Sequence, residues 1–190
     1  MRHVLGQQSG TAPHALPLQT GHDGKPVLPP SFGLHFNLAH CEELALLALT
    51  RDGPVGIDVE RVRSLETRRQ ATHDPDSGEL ALADRHFIQS EIRKLRSMTS
   101  GEVRMRSFFS GWTRKEAWVK AAGVGLRTDL RRIETGLSGS RQVGDYFIQP
   151  VDLHPAWIDR GFVASLATSA ALTGTRVEMY AAPRAPAAVR

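Results

Sequence analysis

Only one cysteine, Cys41, occurs among the 190 residues, so no internal disulfide can staple the fold, as fits a reducing compartment. Long hydrophobic runs are missing as well. Leu44 to Leu49 is about the longest, far short of a bilayer span, and Met1 to Gly10 has no apolar core of a signal peptide. Aromatic residues make up 6% of the chain, too few to interleave with the arginines as a base-stacking surface would need, and no nucleic-acid motif occurs. Charge of one sign is not scarce but nearly balanced, with a formal excess of +4 and a pI near 9.7. That favours an anionic partner without specifying nucleic acid. No repeat of fixed period is visible. What remains, at 41% hydrophobic and 23% charged residues, is a globular chain expected in the cytoplasm, long enough for one core or two small lobes sharing one.

The stretch Phe108 to Leu126 carries the strongest local pattern. Thr99 followed by Glu102 has the spacing of a capping box, Phe108, Trp112, Val119 and Ala122 recur at helical spacing, and Gly123 and Gly125 supply the stop. Four-residue steps put Trp112, Glu116 and Lys120 on one face with Lys115 one position round. Such a helix can be a plain amphipathic one with an i,i+4 ion pair, or it can present a carboxylate and two ammonium groups to a site.

Upstream, Met1 to Gln8 reads as the last turns of a helix ending near Gly10, and His14 to Leu18 as a short strand. Turn chemistry surrounds Gly24-Lys25-Pro26, where Lys25 can be a solvated loop lysine. Ser31 to Leu38 reads as a strand leading into Asn37-Leu38-Ala39-His40. Leu44 to Thr50 is apolar, and Asp52-Gly53 marks a turn. In Val55-Gly56-Ile57-Asp58-Val59-Glu60 the alternation of a strand sends Ile57 and Val59 into a core. It leaves Asp58 and Glu60 on the other face, about 7 Å apart. Paired acids of this kind serve either surface solvation or metal ligation. Arg61 to Glu79 is polar and reads as a loop, and Leu80 to Arg96 has helical patterning. Beyond Gly125, Leu130 to Thr135, Asp145 to Gln149, Gly161 to Ala167 and Gly174 to Ala181 read as antiparallel strands, followed by a tail, Ala182 to Arg190, too poor in core formers to fold.

Four segments taken together carry a resemblance. Gly24-Lys25-Pro26, Phe36-Asn37-Leu38-Ala39-His40, Gly56-Ile57-Asp58-Val59-Glu60 and Trp112-Thr113-Arg114-Lys115-Glu116-Ala117-Trp118-Val119-Lys120 resemble, in order and spacing, the 4′-phosphopantetheinyl transferase superfamily of the Sfp type, over about Arg2 to Thr168. Arg85 to Glu91 is similar to a further family segment that ends in a site acid; the residues alone equally allow Glu91 as a first-turn helix carboxylate.

The resemblance implies an α+β fold of two pseudo-symmetric halves joined near Gly53 to Gly56. Residues 1–54 would be a partial first half, 55–181 the second half with the metal site, and 182–190 the tail. It implies transfer of the phosphopantetheine arm of coenzyme A to a serine of an acyl or peptidyl carrier protein by a monomer or weak dimer. Phosphoryl transfer calls for a neutralised diphosphate and a hydroxyl held in line. Mg2+, which takes hard oxygen ligands, would then sit on Asp58, Glu60 and Glu116. Lys120, and beside it Lys115, would contact phosphate; Lys25 and His40 would reach the phosphates of coenzyme A, with the backbone from Gly24 to Pro26 against the adenine. Glu116 or Glu91 would accept the serine proton. Arg61, Arg63, Arg68 and Arg69 would steer an acidic carrier. Two departures stand out. Ala39 replaces a hydroxyl residue usual in the family, removing a phosphate contact of about 1 kcal/mol. A stretch that ordinarily precedes the residues matching Arg2 to Gly10 is absent, which leaves an upstream start, a non-catalytic relic that binds without turnover, or completion by a partner or second copy.

Overall fold

Ile57, Val59 and Val55 alternate with Gly56, Asp58 and Glu60, and this period of two organises the molecule. The computed structural model describes residues 1–21, 24–65, 78–125 and 128–169. It shows an α+β fold with antiparallel sheets. In chain order these are helix α1 (Arg2–Ser9), strands β1 (Gln19–Thr20), β2 (Pro26–Val27), β3 (His35–Cys41), β4 (Leu44–Thr50) and β5 (Val55–Arg61), and helices α2 (Glu79–His86), α3 (Gln89–Arg96) and α4 (Gly101–Ala122). After these come β6 (Arg141–Val143), β7 (Tyr146–Pro150), the short helix α5 (Pro155–Asp159) and β8 (Phe162–Thr168). β5, β8, β7 and β6 form a four-stranded sheet in that order, while β1 pairs with β2 and β3 with β4 in separate two-stranded ribbons.

The β5–β8 register pairs Gly56 with Ala167 and Asp58 with Ser165. On one face Val55, Ile57, Val59, Phe162, Ala164 and Leu166 pack against Ala39, Leu44 and Ala48 of the β3–β4 ribbon. Opposite them, Gly56, Ser165 and Ala167 are small, and α4 lies over them: Ala117 and Ala121 meet Ile148 and Ala167, and Thr113 Oγ1 lies 2.9 Å from Ser165 Oγ. A Cβ on Gly56 would collide with the Ala117 carbonyl and the Ala121 amide. The aromatic residues of α4, Phe108 and Phe109, pack with Leu80 of α2, Phe87 just beyond its end, and Ile92 and Leu95 of α3. The β3–β4 ribbon lies alongside β5, where Asn37 Oδ1 accepts the Ile57 N–H at 2.8 Å. Leu5, Leu16, Leu28, Leu34 and Phe36 make a smaller core for the first segment.

Sequence expectations and structure differ in instructive places. The N-terminal helix and its stop hold, since Gly10 takes the left-handed conformation at φ 68°. His14 to Leu18 is not a strand; the Pro13–Ala15 turn precedes the β1–β2 ribbon. The Pro30–Phe32 turn delays the next strand, so β3 starts at His35 and carries the whole Asn37 to His40 motif. The long helix begins one residue later than the Thr99 spacing predicts, because Ser100 Oγ accepts the Val103 amide. Leu80 to Arg96 is two helices, broken where Phe87 is extended and Glu91 reaches back to the Ile88 amide. Leu130 to Thr135 is not a strand but a Leu130–Arg132 turn and a loop. Its carbonyls are used by cations of α4 rather than by a neighbouring strand. β6 and α5 have no counterpart in the sequence reading. Gly174 to Ala181, the Ala182 to Arg190 tail, Leu126, Arg68 and Arg69 lie outside the described residues.

The Gly56 contact yields a direct test. Gly56→Ala is expected to force β5 and α4 apart at a cost of about 1–3 kcal/mol or more, read as a drop of several degrees in a thermal melt. Gly101→Ala, whose added methyl would meet only the Arg104 side chain at 4.0 Å at the first turn of α4, should not lower the melt.

Candidate active site

The residues facing α4 from β5 become more polar along the strand, from Gly56 to Asp58 to Glu60, and α4 answers with Glu116 and Lys120 one turn apart. Asp58 is 8% exposed. Its Oδ1 accepts from Lys120 Nζ at 2.6 Å, and the same ammonium donates to the Ile57 carbonyl at 3.2 Å. Asp58 Oδ2 is buried with no hydrogen-bond partner among the described residues. A buried carboxylate oxygen left bare is costly and directs attention to what would satisfy it.

Burial pushes the Asp58 carboxyl up to about 7 against the pull of Lys120, and the charges of Glu116 and Glu60 push in the same direction. Glu116 is also raised, by burial first and by Glu60, with Lys120 opposing. Asp58 and Glu116 thus each register the charge of Glu60, and Asp58 that of Glu116, as the crossing of α4 over β5 requires. Glu60 is at its rim, accepting from Arg63 Nη1 at 3.0 Å, with Cys41 Sγ 3.8 Å away. Among the described residues no group of three or more acid, histidine or cysteine side chains stands at metal-ligand spacing. The donor set nevertheless fits a hard divalent cation: carboxylate oxygens only, one of them bare, and two of the acids occupied by organic cations.

Lys25 approaches from the first segment. Its ammonium donates to the Val55 carbonyl at 3.1 Å and the Lys120 carbonyl at 3.0 Å, linking the start of β5 to the last turn of α4. Burial, and secondarily the Lys120 charge, lower its pKa. A cleft lined by Lys25, Val27, Leu34, His35, Phe36 and Val55 opens beside it. Pro26 is in β2, and His40 is exposed on β3.

Glu91 and Lys115 lie apart from these groups and pair with each other. Lys115 is 0% exposed. Its ammonium pairs with Glu91 Oε2 at 2.9 Å and donates to the Leu130 and Ile133 carbonyls, so its three N–H groups are used. Glu91 Oε1 accepts the Gly136 amide at 2.8 Å. Arg114, equally buried, donates to the Thr135 and Gly139 carbonyls. Lys115 and Glu91 thus engage each other and together fasten the loop after α4. Sequence reading also passed over Arg63 as a partner of Glu60, although its place three residues on was a usable signal, and passed over Arg114 entirely. Arg61 pairs with Glu42 at 2.7 Å.

The 4′-phosphopantetheinyl transferase superfamily sequence model matches residues 54–158, just over half of the chain. The 4′-phosphopantetheinyl transferase HetI of Nostoc sp. is 35% identical over 162 residues, covering 83% of this chain and 60% of the relative. The 4′-phosphopantetheinyl transferase psf-1 of Bacillus pumilus is 30% identical over 142 residues, 75% of this chain and 54% of the relative. The L-aminoadipate-semialdehyde dehydrogenase-phosphopantetheinyl transferase of Homo sapiens is 29% identical over 147 residues, 73% and 44% respectively. The chain thus spans about half the length of the curated relatives it matches.

Two measurements follow from the buried groups. Lys115→Met leaves Glu91 buried without its counter-ion and is expected to cost about 3–5 kcal/mol, part of which the added Glu91→Gln change should restore in urea unfolding. For Asp58 the folded state holds its proton more tightly than the unfolded chain, because the pKa rises from 3.8 to about 7. Its contribution is therefore full below about 4 and lost as pH rises through about 7. Melts of the metal-free protein should accordingly fall between about pH 5 and pH 8, with Asp58→Asn flattening that slope.

Proposed function

Because the chain belongs to the 4′-phosphopantetheinyl transferase superfamily, we propose that it moves the 4′-phosphopantetheine group of coenzyme A onto a serine hydroxyl of an acyl or peptidyl carrier protein. The observation that carries this reading is the crossing of α4 over β5, which brings Asp58, Glu60, Glu116 and Lys120 to one space with the Asp58 Oδ2 atom bare. Asp58, Glu60 and Glu116 would hold Mg2+. Bound there, the ion would supply charge neutralisation on the diphosphate.

The chain's own groups account for the remaining needs. Lys120, on the face of α4 shared with Glu116, binds phosphate as a point charge. Lys25 adds positive potential at the same place and, with Pro26 and the cleft beside it, receives the nucleotide end of coenzyme A; His40 reaches its phosphates. Glu116 takes the serine proton. Glu91 is not given this role, since its oxygens are occupied within the protein. No helix among the described residues is long and apolar enough to cross a membrane; we assign the protein to the cytoplasm, as a monomer or weak dimer, with no nucleic-acid partner. The join of the two halves belongs near Gly53 to Gly56.

Loading is tested by incubating the protein with coenzyme A, Mg2+ and an apo carrier protein and weighing the carrier. A mass gain of one phosphopantetheine is expected, and Asp58→Ala or Glu116→Ala should slow it by about a hundredfold or more. Calorimetric binding of coenzyme A with no mass gain on any carrier would replace this reading with that of a binding relic.

A further inference from the structure

The Lys25 ammonium meets main chain. It donates to the Val55 carbonyl at 3.1 Å and to the Lys120 carbonyl at 3.0 Å, and no carboxylate pairs with it among the described residues. These two carbonyls flank the closest approach of β5 and α4. Val55 immediately precedes Gly56, and the atoms nearest to a Cβ on Gly56 are the Ala117 carbonyl oxygen, the Ala121 amide nitrogen and the Lys120 carbonyl carbon. A side chain from the first segment therefore straddles the point where strand and helix touch.

Each bond answers a need at that point. Lys120 belongs to the last turn of α4, whose final carbonyls have no N–H partner inside the helix. The Gly123 amide takes the Val119 carbonyl, and Lys25 takes that of Lys120. A cation there also opposes the negative end of the helix dipole. Lys120 is consequently held twice: its own Nζ rests on Asp58 Oδ1 and the Ile57 carbonyl, and its main chain rests on Lys25. The turn that presents Lys25 is itself closed. Gly24 takes a φ of 75°, the Gly21 amide donates to the Lys25 carbonyl at 2.7 Å, and Pro26 pairs with Thr20.

We infer that Lys25 is a positioning residue: by joining the Val55 and Lys120 carbonyls it sets where the last turns of α4 rest on β5, and so where Glu116 and Lys120 stand beside Asp58. This rests on the function proposed above and adds to Lys25 a task performed before any ligand arrives. Two of its three N–H groups are spent in this way, which leaves one for a phosphate.

The test pairs a structural readout with a kinetic one. Deuterium exchange is followed by mass spectrometry on the full chain without ligands, comparing the amides of Val119 to Gly123 with those of Met105 to Phe108 in the same helix. Lys25→Met should speed exchange in the last turn by about tenfold or more, the effect of a part-buried carbonyl left unsatisfied, and leave the earlier turn unchanged. In carrier loading at saturating Mg2+ the same variant should lower kcat by about tenfold to a hundredfold, the effect of misplaced reacting groups, with a smaller change in KM for coenzyme A. Lys25→Arg, which can still reach two carbonyls, should restore much of both. Should the Met variant fail to fold, Lys25→Gln carries the test, with exchange and kcat displaced in the same directions. Unchanged exchange in the last turn overturns the inference. So does faster exchange with kcat intact, or a raised KM for coenzyme A with kcat intact, which would make Lys25 a phosphate contact only. If the wild type loads no carrier, the proposed function falls, and the exchange measurement still decides whether Lys25 holds the end of α4.

Discussion

Backbone touching backbone at Gly56 is the constraint on which the rest of this structure depends. A helix ordinarily rides on a sheet at the distance set by two layers of side chains, about 10 Å. Here one layer is missing, because Gly56, Ala167, Ala117 and Ala121 are the residues between β5, β8 and α4. The helix sinks toward the strand, and the two residues that follow Gly56 on the same face, Asp58 and Glu60, rise beside it rather than beneath it. Glu116 and Lys120 then meet them from the side. Placing four charged groups around one point is a consequence of removing bulk next door.

The same helix is unusual in what it buries. Thr113, Arg114 and Lys115 are all buried at its middle, a composition that would be prohibitive if each group lacked a partner. Each has one: Ser165 for Thr113, the Thr135 and Gly139 carbonyls for Arg114, and Glu91 with two loop carbonyls for Lys115. The loop after α4 takes its shape from these donors. One side of α4 thus serves the acids of β5 while another organises a segment that makes no regular structure of its own.

Much of this was legible in the residues, and the division is physical. Local signals were readable: glycine stops at Gly10 and Gly123, the two-residue alternation that separates Ile57 and Val59 from Asp58 and Glu60, the length of the central helix. So was the meeting of Asp58 with the Glu116 and Lys120 face, through motif order. What could not be read depends on partners distant in the chain. Lys115 and Glu91 carry the right chemistry for a site, and nothing in their immediate neighbours says that they will neutralise each other instead. Leu130 to Thr135 has the look of a strand, and only the position of two cations on α4 explains why its carbonyls turn away from a ladder. Arg63 was visible three residues past Glu60, yet a run of arginines reads first as surface.

Asn37 was introduced above as the residue whose side chain accepts the Ile57 amide. Among the described residues β5 is the outermost strand of its sheet, and an outermost strand exposes a row of amides and carbonyls on which a foreign chain can continue the ladder. The Asn37 side-chain oxygen occupies one amide of that row, with the apolar residues of β3 and β4 packed beside the strand. Asn37 thereby fills one position of that row on the strand that also carries Asp58 and Glu60.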